Sequence, residues 1–375
     1  MTRSIIAAII LAAGYSSRMG RLKPLLPLGK GSVIEHVAGS IRAEGIQDIL
    51  VVLGHCSKDI IPELEKNRLA WKVNHQYAQG MLSSIKKGIE TLAGGTDAFF
   101  IMPVDIPLVR PSTLRKLVRS HETYPGKIIY PSFQGQKGHP PLIPCRFMND
   151  ILQYEGPGGL QRCLEAWNSD SLEIAVADHG VLVDMDTLDD YAAIQDRFKS
   201  LDIPSRHEAL ALLAIHQADN PSMMAHAGAV ASLAVTIGRA LSKAGGNVNM
   251  PLIEAAGILH DIAKGQPLHA QRGAEIIAAN GFQKVADAAG QHMDLAFDPL
   301  KGVHEAEVVY LADKMVSGSE IVPLENRLQT KKQQFRGDPE ALTAMTFRME
   351  QAIRIRKAVE NLIGKPVYDL NFSQN

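Results

Sequence analysis

Residues 5–13 form an unbroken apolar run that ends directly in Gly14-Tyr15-Ser16-Ser17-Arg18-Met19-Gly20-Arg21-Leu22-Lys23, a basic loop with two glycines. With Arg3 ahead of it, the run imitates the start of a secretory leader, but it lacks a small-residue cleavage region behind it. It is also shorter than the about 20 residues a bilayer span requires. The pattern fits a buried first strand that delivers a phosphate-binding loop. Glycines let backbone N–H groups approach an anion closely, and Arg18 and Lys23 supply positive charge beside them. The GKS/T ending of a Walker loop is missing.

Behind this opening, residues 5–11, 49–53, 98–102, 127–130 and 181–185 read as strands, and residues 33–44, 83–92, 111–121 and 158–167 as helices. The alternation predicts a Rossmann-like three-layer α/β domain with a mostly parallel sheet over residues 1–197. The Pro/Gly clusters 135–144 and 155–159 read as loops. After a linker at 198–205 the strand signals vanish. Helical periodicity takes over in residues 206–216, 223–244, 251–263, 270–280 and 305–316, predicting an all-α bundle over 206–330. A charged amphipathic helix, 339–363, dominates a C-terminal helical extension at 331–375. The 375-residue length suits two or three domains.

Lys+Arg 39 against Asp+Glu 40 gives a net charge of -1, which offers no general attraction to nucleic acid or an anionic membrane. Three cysteines without CxxC spacing exclude a disulfide scaffold and a thiolate zinc knuckle, and fit a reducing cytoplasm.

The stretch from Leu11-Ala12-Ala13-Gly14 to Pro27 resembles the molybdenum-cofactor type of nucleotidyltransferase, whose signature is LAAGxSxRMGxxKxLLP. Four further motifs follow in the same order: residues 74–85 (Asn74, Gly80, Ser83, Ser84), Pro103-Val104-Asp105, Gly138-His139-Pro140, and Asp184-Met185-Asp186-Thr187. The resemblance implies nucleotide binding by Leu11, Ala12, Ala13, Gly14, Ser16, Arg18, Gly20, Lys23, Asn74, Gly80, Ser83 and Ser84. It implies acceptor contact by Gly138, His139 and Pro140, and Mg²⁺ held by Asp105. Asp186, expected at the end of the last strand, is the natural second ligand, with Asp184 as the alternative. Arg18, Lys23 and Asp105 are the expected catalytic groups, stabilising charge while an acceptor phosphate attacks the nucleotide. Ala12-Ala13-Gly14, in place of Ala-Gly-Gly, resembles the cytidylyl-transferring branch and favours CTP.

The second half carries His226, His260-Asp261 and Asp313-Lys314 on separate helix-like segments. His260-Asp261 follows an apolar run that would bury both, and buried ionisable groups need partners such as a metal. The spacing resembles the HD metal-dependent phosphohydrolases, H…HD…D. That resemblance implies a divalent ion (Mn, Fe, Ni, Zn or Mg) on His226, His260, Asp261 and Asp313. His269 and His292 match intervening histidines of two-metal members, but Gln291-His292-Met293 stands where some carry paired histidines, so a second ion is left open. Lys264 reads equally as a phosphate contact and as a helix-end cation. His36, His55, His121, His207 and His216 read as packing or surface residues, and the basic run 327–336 as a solvated face.

The resulting expectation is a two-domain enzyme that transfers a nucleotide from an NTP to molybdopterin and hydrolyses a phosphate ester. The alternatives are a sugar-phosphate acceptor, a regulatory nucleotide-binding HD module, and delivery of cofactor to a molybdoenzyme partner.

Overall fold

The computed structural model describes residues 4–16, 18–218 and 220–371; Arg3 and Ser17 lie outside the described residues. The chain divides into two compact units, residues 1–201 and 202–375.

Every position of β1 (Ile6–Ala12) is buried, which suits a central strand covered on both faces. It pairs in parallel with β2 (Asp48–Leu53), which continues in parallel to β3 (Ala70–Val73). On its other side runs β4 (Ala98–Pro103), also parallel. Next come β5 (Ile128–Phe133), β6 (Leu142–Pro144) and β7 (Ser171–Ala175), where β6 is antiparallel between β4 and β5. The order is β7-β5-β6-β4-β1-β2-β3, with Gln136–Lys137 paired to β5. Residues 135–144 are therefore not all loop: two short pairings cross them.

Helices α1 (Val33–Arg42), α2 (Ser57–Lys66), α3 (Met81–Ile89), α4 (Pro111–Thr123), α5 (Met148–Gln153), α6 (Gly159–Glu165) and α7 (Leu188–Phe198) complete the unit. Capping boxes open α1 (Ser32 with Glu35) and α7 (Thr187 with Asp190), each satisfying two backbone donors at the helix start. A Cβ on Gly88 would lie 2.6 Å from Ile9, so this glycine lets α3 rest directly on β1. One expected strand is absent. Residues 179–182 form a 3-10 turn, so the last strand is β7, and Asp186 lies in an irregular stretch rather than at a strand end. Asp178 makes this turn by accepting the Gly180 N–H at 3.1 Å.

The second unit is helical: α8 (Arg206–Gln217), α9 (Pro221–Lys243), α10 (Met250–Leu259), α11 (His269–Ala279), α12 (Gln283–Ala289), α13 (Glu305–Met315), α14 (Leu324–Gln334) and α15 (Pro339–Ile363). Gly257 permits close packing of α10 on α9, since a Cβ there would lie 2.8 Å from the Ala231 Cα. α10 stops at Leu259, short of the expected residue 263, because residues 260–264 turn away to present His260 and Asp261. The basic run is not simply a solvated face: Arg327 donates to the carbonyls of Asp313, Lys314 and Val316 at the end of α13. α9 is the one described helix long and apolar enough to cross a membrane, and half of its most apolar window is buried within the unit.

Candidate functional sites

Because β1, β2, β3 and β4 run in parallel, the segments after them all emerge at one sheet edge, where open α/β sheets bind ligands. The loop after β1 is shaped by Ser16, at φ 52, whose carbonyl accepts the N–H groups of Met19 and Gly20 at 3.1 Å each. The Ser16 hydroxyl accepts the Lys23 N–H at 3.3 Å. Lys23 then reaches across the edge, its Nζ standing 3.1 Å from Asp105 Oδ2 and 2.9 Å from Asp186 Oδ1. Arg18 joins Asp186 Oδ2 at 2.7 Å. The Lys23 hydrogen bond holds Asp186 below the usual carboxylate range. Burial works to lower the Lys23 pKa, but its bond to Asp186 and the charge of Asp105 raise it on balance. Two carboxylates focused on one ammonium fit a cation position at this edge, and hard oxygen donors suit Mg²⁺.

Two cavities meet there. One, about 320 Å³, is bounded by Leu11, Ala12, Ala13, Gly14, Ser16, Gly80 and Ser84, with Lys23 and Asp105 on its wall. Among the described residues nothing lies within 4 Å of where a Gly14 Cβ would stand, so open space borders the loop there. The other, about 1140 Å³, is lined by Gly138, His139, Asp184 and residues 156–161, the turn into α6, and shares Gly80, Met81, Pro103 and Asp105 with the first. Its lining includes the apolar side chains of Leu82, Ile85 and Leu164. Desolvation lowers the His139 pKa, against the pull of Asp105 and Asp184.

Several expected residues stand elsewhere. Arg18, Gly20, Asn74 and Ser83 do not line the smaller cavity, nor does Pro140 line the larger. Asn74, buried, spends its amide on the hydroxyls of Ser83 (2.8 Å) and Ser84 (3.0 Å) and accepts the Gln76 N–H at 2.9 Å. It therefore shapes the 74–80 segment from within. Ser83 donates to the Gln76 and Gly80 carbonyls in the same segment.

Two features gave no signal in the sequence. His55, read as a bland residue, packs its ring against Tyr15 and Tyr77. Asp178, 2% exposed, accepts from Arg110 N and its guanidinium (2.8 and 2.7 Å), the Thr113 hydroxyl (2.6 Å) and Gly180 N. This clamp seats the 178–182 turn, whose Val181 carbonyl accepts the His139 N–H at 2.8 Å. Asp178→Ala should destabilise the unit by about 3–5 kcal/mol in urea unfolding, because a buried guanidinium would lose its carboxylate. A loss below about 1 kcal/mol would contradict a buried clamp.

In the helical unit, Asp261 faces two histidine pairs. Its Oδ2 lies 3.9 Å from His226 Nε2 and 3.5 Å from His260 Nε2, and its Oδ1 lies 3.5 Å from His269 Nε2 and 3.3 Å from His292 Nε2. Asp313 Oδ1 closes the first group at 3.5 and 3.6 Å from His226 and His260. Backbone carbonyls of Gly318, Gly257 and Ala289 accept from Nδ1 of His226, His260 and His292 at 2.7–2.8 Å. A carbonyl can only accept, so each Nδ1 carries a proton and each Nε2 is the ring atom turned inward, the orientation metal-ligating imidazoles take. The buried Nε2 atoms of His226 and His260 have no hydrogen-bond partner among the described residues. Burial alone would lower the His260 pKa and raise both carboxylates. The pairing outweighs it, holding His260 above and Asp261 and Asp313 below their ordinary ranges. The ligand atoms of His226, His260 and Asp261 lie within 4.8 Å of one another, as do those of Asp261, His269 and His292, a nitrogen and oxygen donor set of the kind that holds divalent ions. Lys264 stands 2.5 Å from Asp261 Oδ2, and buried Lys314 bridges Asp313 Oδ2 (2.6 Å) and the His292 carbonyl (2.9 Å).

Fold and sites together define an α/β domain with a glycine loop at its sheet edge, joined to a helical domain with a histidine–aspartate centre. Residues 8–172 are a MobA-like NTP transferase domain, and residues 223–317 an HD domain. The chain is 27% identical over 201 residues to the molybdenum cofactor cytidylyltransferase of Escherichia coli (strain K12), covering 53% of this chain and all of that protein. It is also 27% identical over 146 residues to nicotine blue oxidoreductase of Paenarthrobacter nicotinovorans (37% of this chain, 70% of that protein). It matches 26% of the length of the bifunctional protein GlmU of Staphylococcus haemolyticus at 30% identity over 119 residues, 31% of this chain. Among solved structures, a nucleotidyl transferase from Methanothermobacter thermautotrophicus aligns with a TM-score of 0.46 and 23% identity, covering 52% of this chain and 98% of that one.

Proposed function

We infer that the first domain transfers a nucleotide from an NTP, CTP by preference, to the terminal phosphate of molybdopterin, and that the second hydrolyses a phosphate ester. The observation that carries the first reading is the meeting of two cavities at Asp105, one beneath the glycine loop and one large enough for a second substrate. An oxygen of the acceptor phosphate forms a bond to the nucleotide α-phosphorus. The α–β bridging P–O bond breaks, and pyrophosphate departs with the electron pair. Asp105 and Asp186 would hold Mg²⁺, which supplies charge neutralisation at the phosphates. Lys23 and Arg18 add fixed positive charge at the same end, and the backbone of residues 12–16 approaches the nucleotide. The apolar lining residues of the larger cavity and the Gly138-His139 turn receive the acceptor. The choice of molybdopterin rests on the cytidylyltransferase relative, whose whole length the chain matches. The free cysteines and near-neutral charge fit a cytoplasmic setting.

The second reading is favoured by the two-sided carboxylate of Asp261. His226, His260 and Asp313 would hold one divalent ion on its Oδ2, and His269 and His292 a second on its Oδ1. A paired centre of that kind supplies Lewis acidity and an activated water for phosphate-ester hydrolysis. Lys264 and Lys314 hold the two carboxylates in place.

The test is pyrophosphate release by the full chain with Mg²⁺, molybdenum cofactor and each of the four NTPs in turn. Release with CTP is expected. Release with another NTP alone would overturn the nucleotide choice, and no release with any would overturn the acceptor.

A further inference from the structure

We propose that Tyr15, His55 and Tyr77 form an aromatic platform for the base of the nucleoside triphosphate, an inference that rests on the nucleotidyl-transfer reading above. The three rings come from three different segments at the same sheet edge, following β1, β2 and β3. Tyr15 lies 5.2 Å from His55 and 5.3 Å from Tyr77, and His55 lies 6.1 Å from Tyr77. The contacts are tilted or edge-on, at 37°, 62° and 55°. No ring covers another face to face, so the cluster keeps π faces to offer.

The fold does not need these rings as core. Tyr15 is 51% exposed although it follows a fully buried strand. The convergence is built in by Gly54, the residue after β2. A Cβ there would stand 2.7 Å from both the Ala13 carbonyl and the Tyr77 Cβ. The next residue, His55, donates its backbone N–H to that same Ala13 carbonyl at 3.3 Å. The glycine loop and the Tyr77 segment are thus brought together across a position where only glycine fits.

Polarity then decides which part of the ligand goes where. Tyr15 and Tyr77 belong to the same cavity of about 320 Å³ as Lys23 and Asp105. Among the described residues lining that cavity only Lys23 and Asp105 carry charge, so the triphosphate is held by them. The rings offer no charge to a phosphate but do offer π faces, and every base has a π face of its own. Stacking of this kind adds affinity for purines and pyrimidines alike, so the platform supplies binding strength and leaves base discrimination to the polar atoms of the loop.

The experiment is calorimetric titration of the full chain, in Mg²⁺, with CTP, with GTP and with inorganic tripolyphosphate as a probe that lacks a base. Tyr77→Ala and Tyr15→Ala should each weaken binding of the nucleotide that wild type takes by about tenfold to a hundredfold. Tyr77→Phe should restore most of the loss, and tripolyphosphate should bind all variants within twofold of wild type. Nucleotide affinities unchanged in both alanine variants would overturn the platform. A parallel loss of tripolyphosphate would also overturn it, since the rings would then be supporting the loop rather than the base. If wild type bound neither CTP nor GTP, the nucleotidyl-transfer reading would fall first and take this inference with it.

Discussion

Asp105→Asn is expected to lower the rate of pyrophosphate release by roughly 10²–10³-fold while leaving the fold intact, the scale of loss when one preorganised electrostatic contact is removed from a transition state. The substitution keeps the shape of the side chain and removes its charge. The position tolerates this because the side chain is about one-third exposed and the structural bond at this residue belongs to its backbone: its carbonyl accepts the Met185 N–H at 2.8 Å. Lys23 retains Asp186 in the variant, so the loop after β1 keeps an anchor. What disappears is one of two carboxylates facing a shared cation position. Steady-state kinetics across a Mg²⁺ series, with thermal unfolding as a control for the fold, would decide it. A rate within tenfold of wild type at ordinary Mg²⁺ would remove Asp105 from the proposed metal site.

The second large effect is expected at Asp261. Its two oxygens face opposite histidine pairs, so Asp261→Ala should strip the helical unit of both ions, about two per chain in a paired centre. His292→Ala, touching one side only, should cost a single ion. Elemental analysis of the full chain after metal loading separates these outcomes. Wild-type metal content in Asp261→Ala would refute the shared carboxylate, and equal losses in the two variants would refute independent positions. Phosphate-ester hydrolysis should vanish with Asp261→Ala, whatever the substrate, because the proposed chemistry has no other activated nucleophile.

The features the sequence disclosed were those in which polar groups interrupt an apolar context. β1 was legible because an unbroken apolar run ends in glycine and cations, and His260-Asp261 because the pair terminates a buried helix. Residues 181–185 failed as a strand for a tertiary reason. Their apolar pattern suits one, but Asp178 captures the Gly180 N–H, and Gly180 is wedged where a Cβ would lie 2.3 Å from the Leu108 carbonyl. Asn74 carried the right residue type, yet its hydrogen bonds point inward to Ser83 and Ser84. The three aromatic rings were invisible because positions 15, 55 and 77 share no spacing; parallel strand order brings their segments to one edge, and Gly54 lets them close together. Arg327 looked like one more surface cation because its partners, the last carbonyls of α13, are backbone atoms with no sequence signature.

The two charged centres differ in what they ask of their surroundings before any ion arrives. At the sheet edge, Lys23 already stands between Asp105 and Asp186 as an internal counter-ion, so both carboxylates have a partner without an ion. In the helical half, two buried imidazole nitrogens point at carboxylates without a bond, and each unmade bond of that kind costs about 1–3 kcal/mol. On the proposed reading, a shortage of divalent metal is expected to leave the fold of the first unit unchanged and to lower the stability of the second.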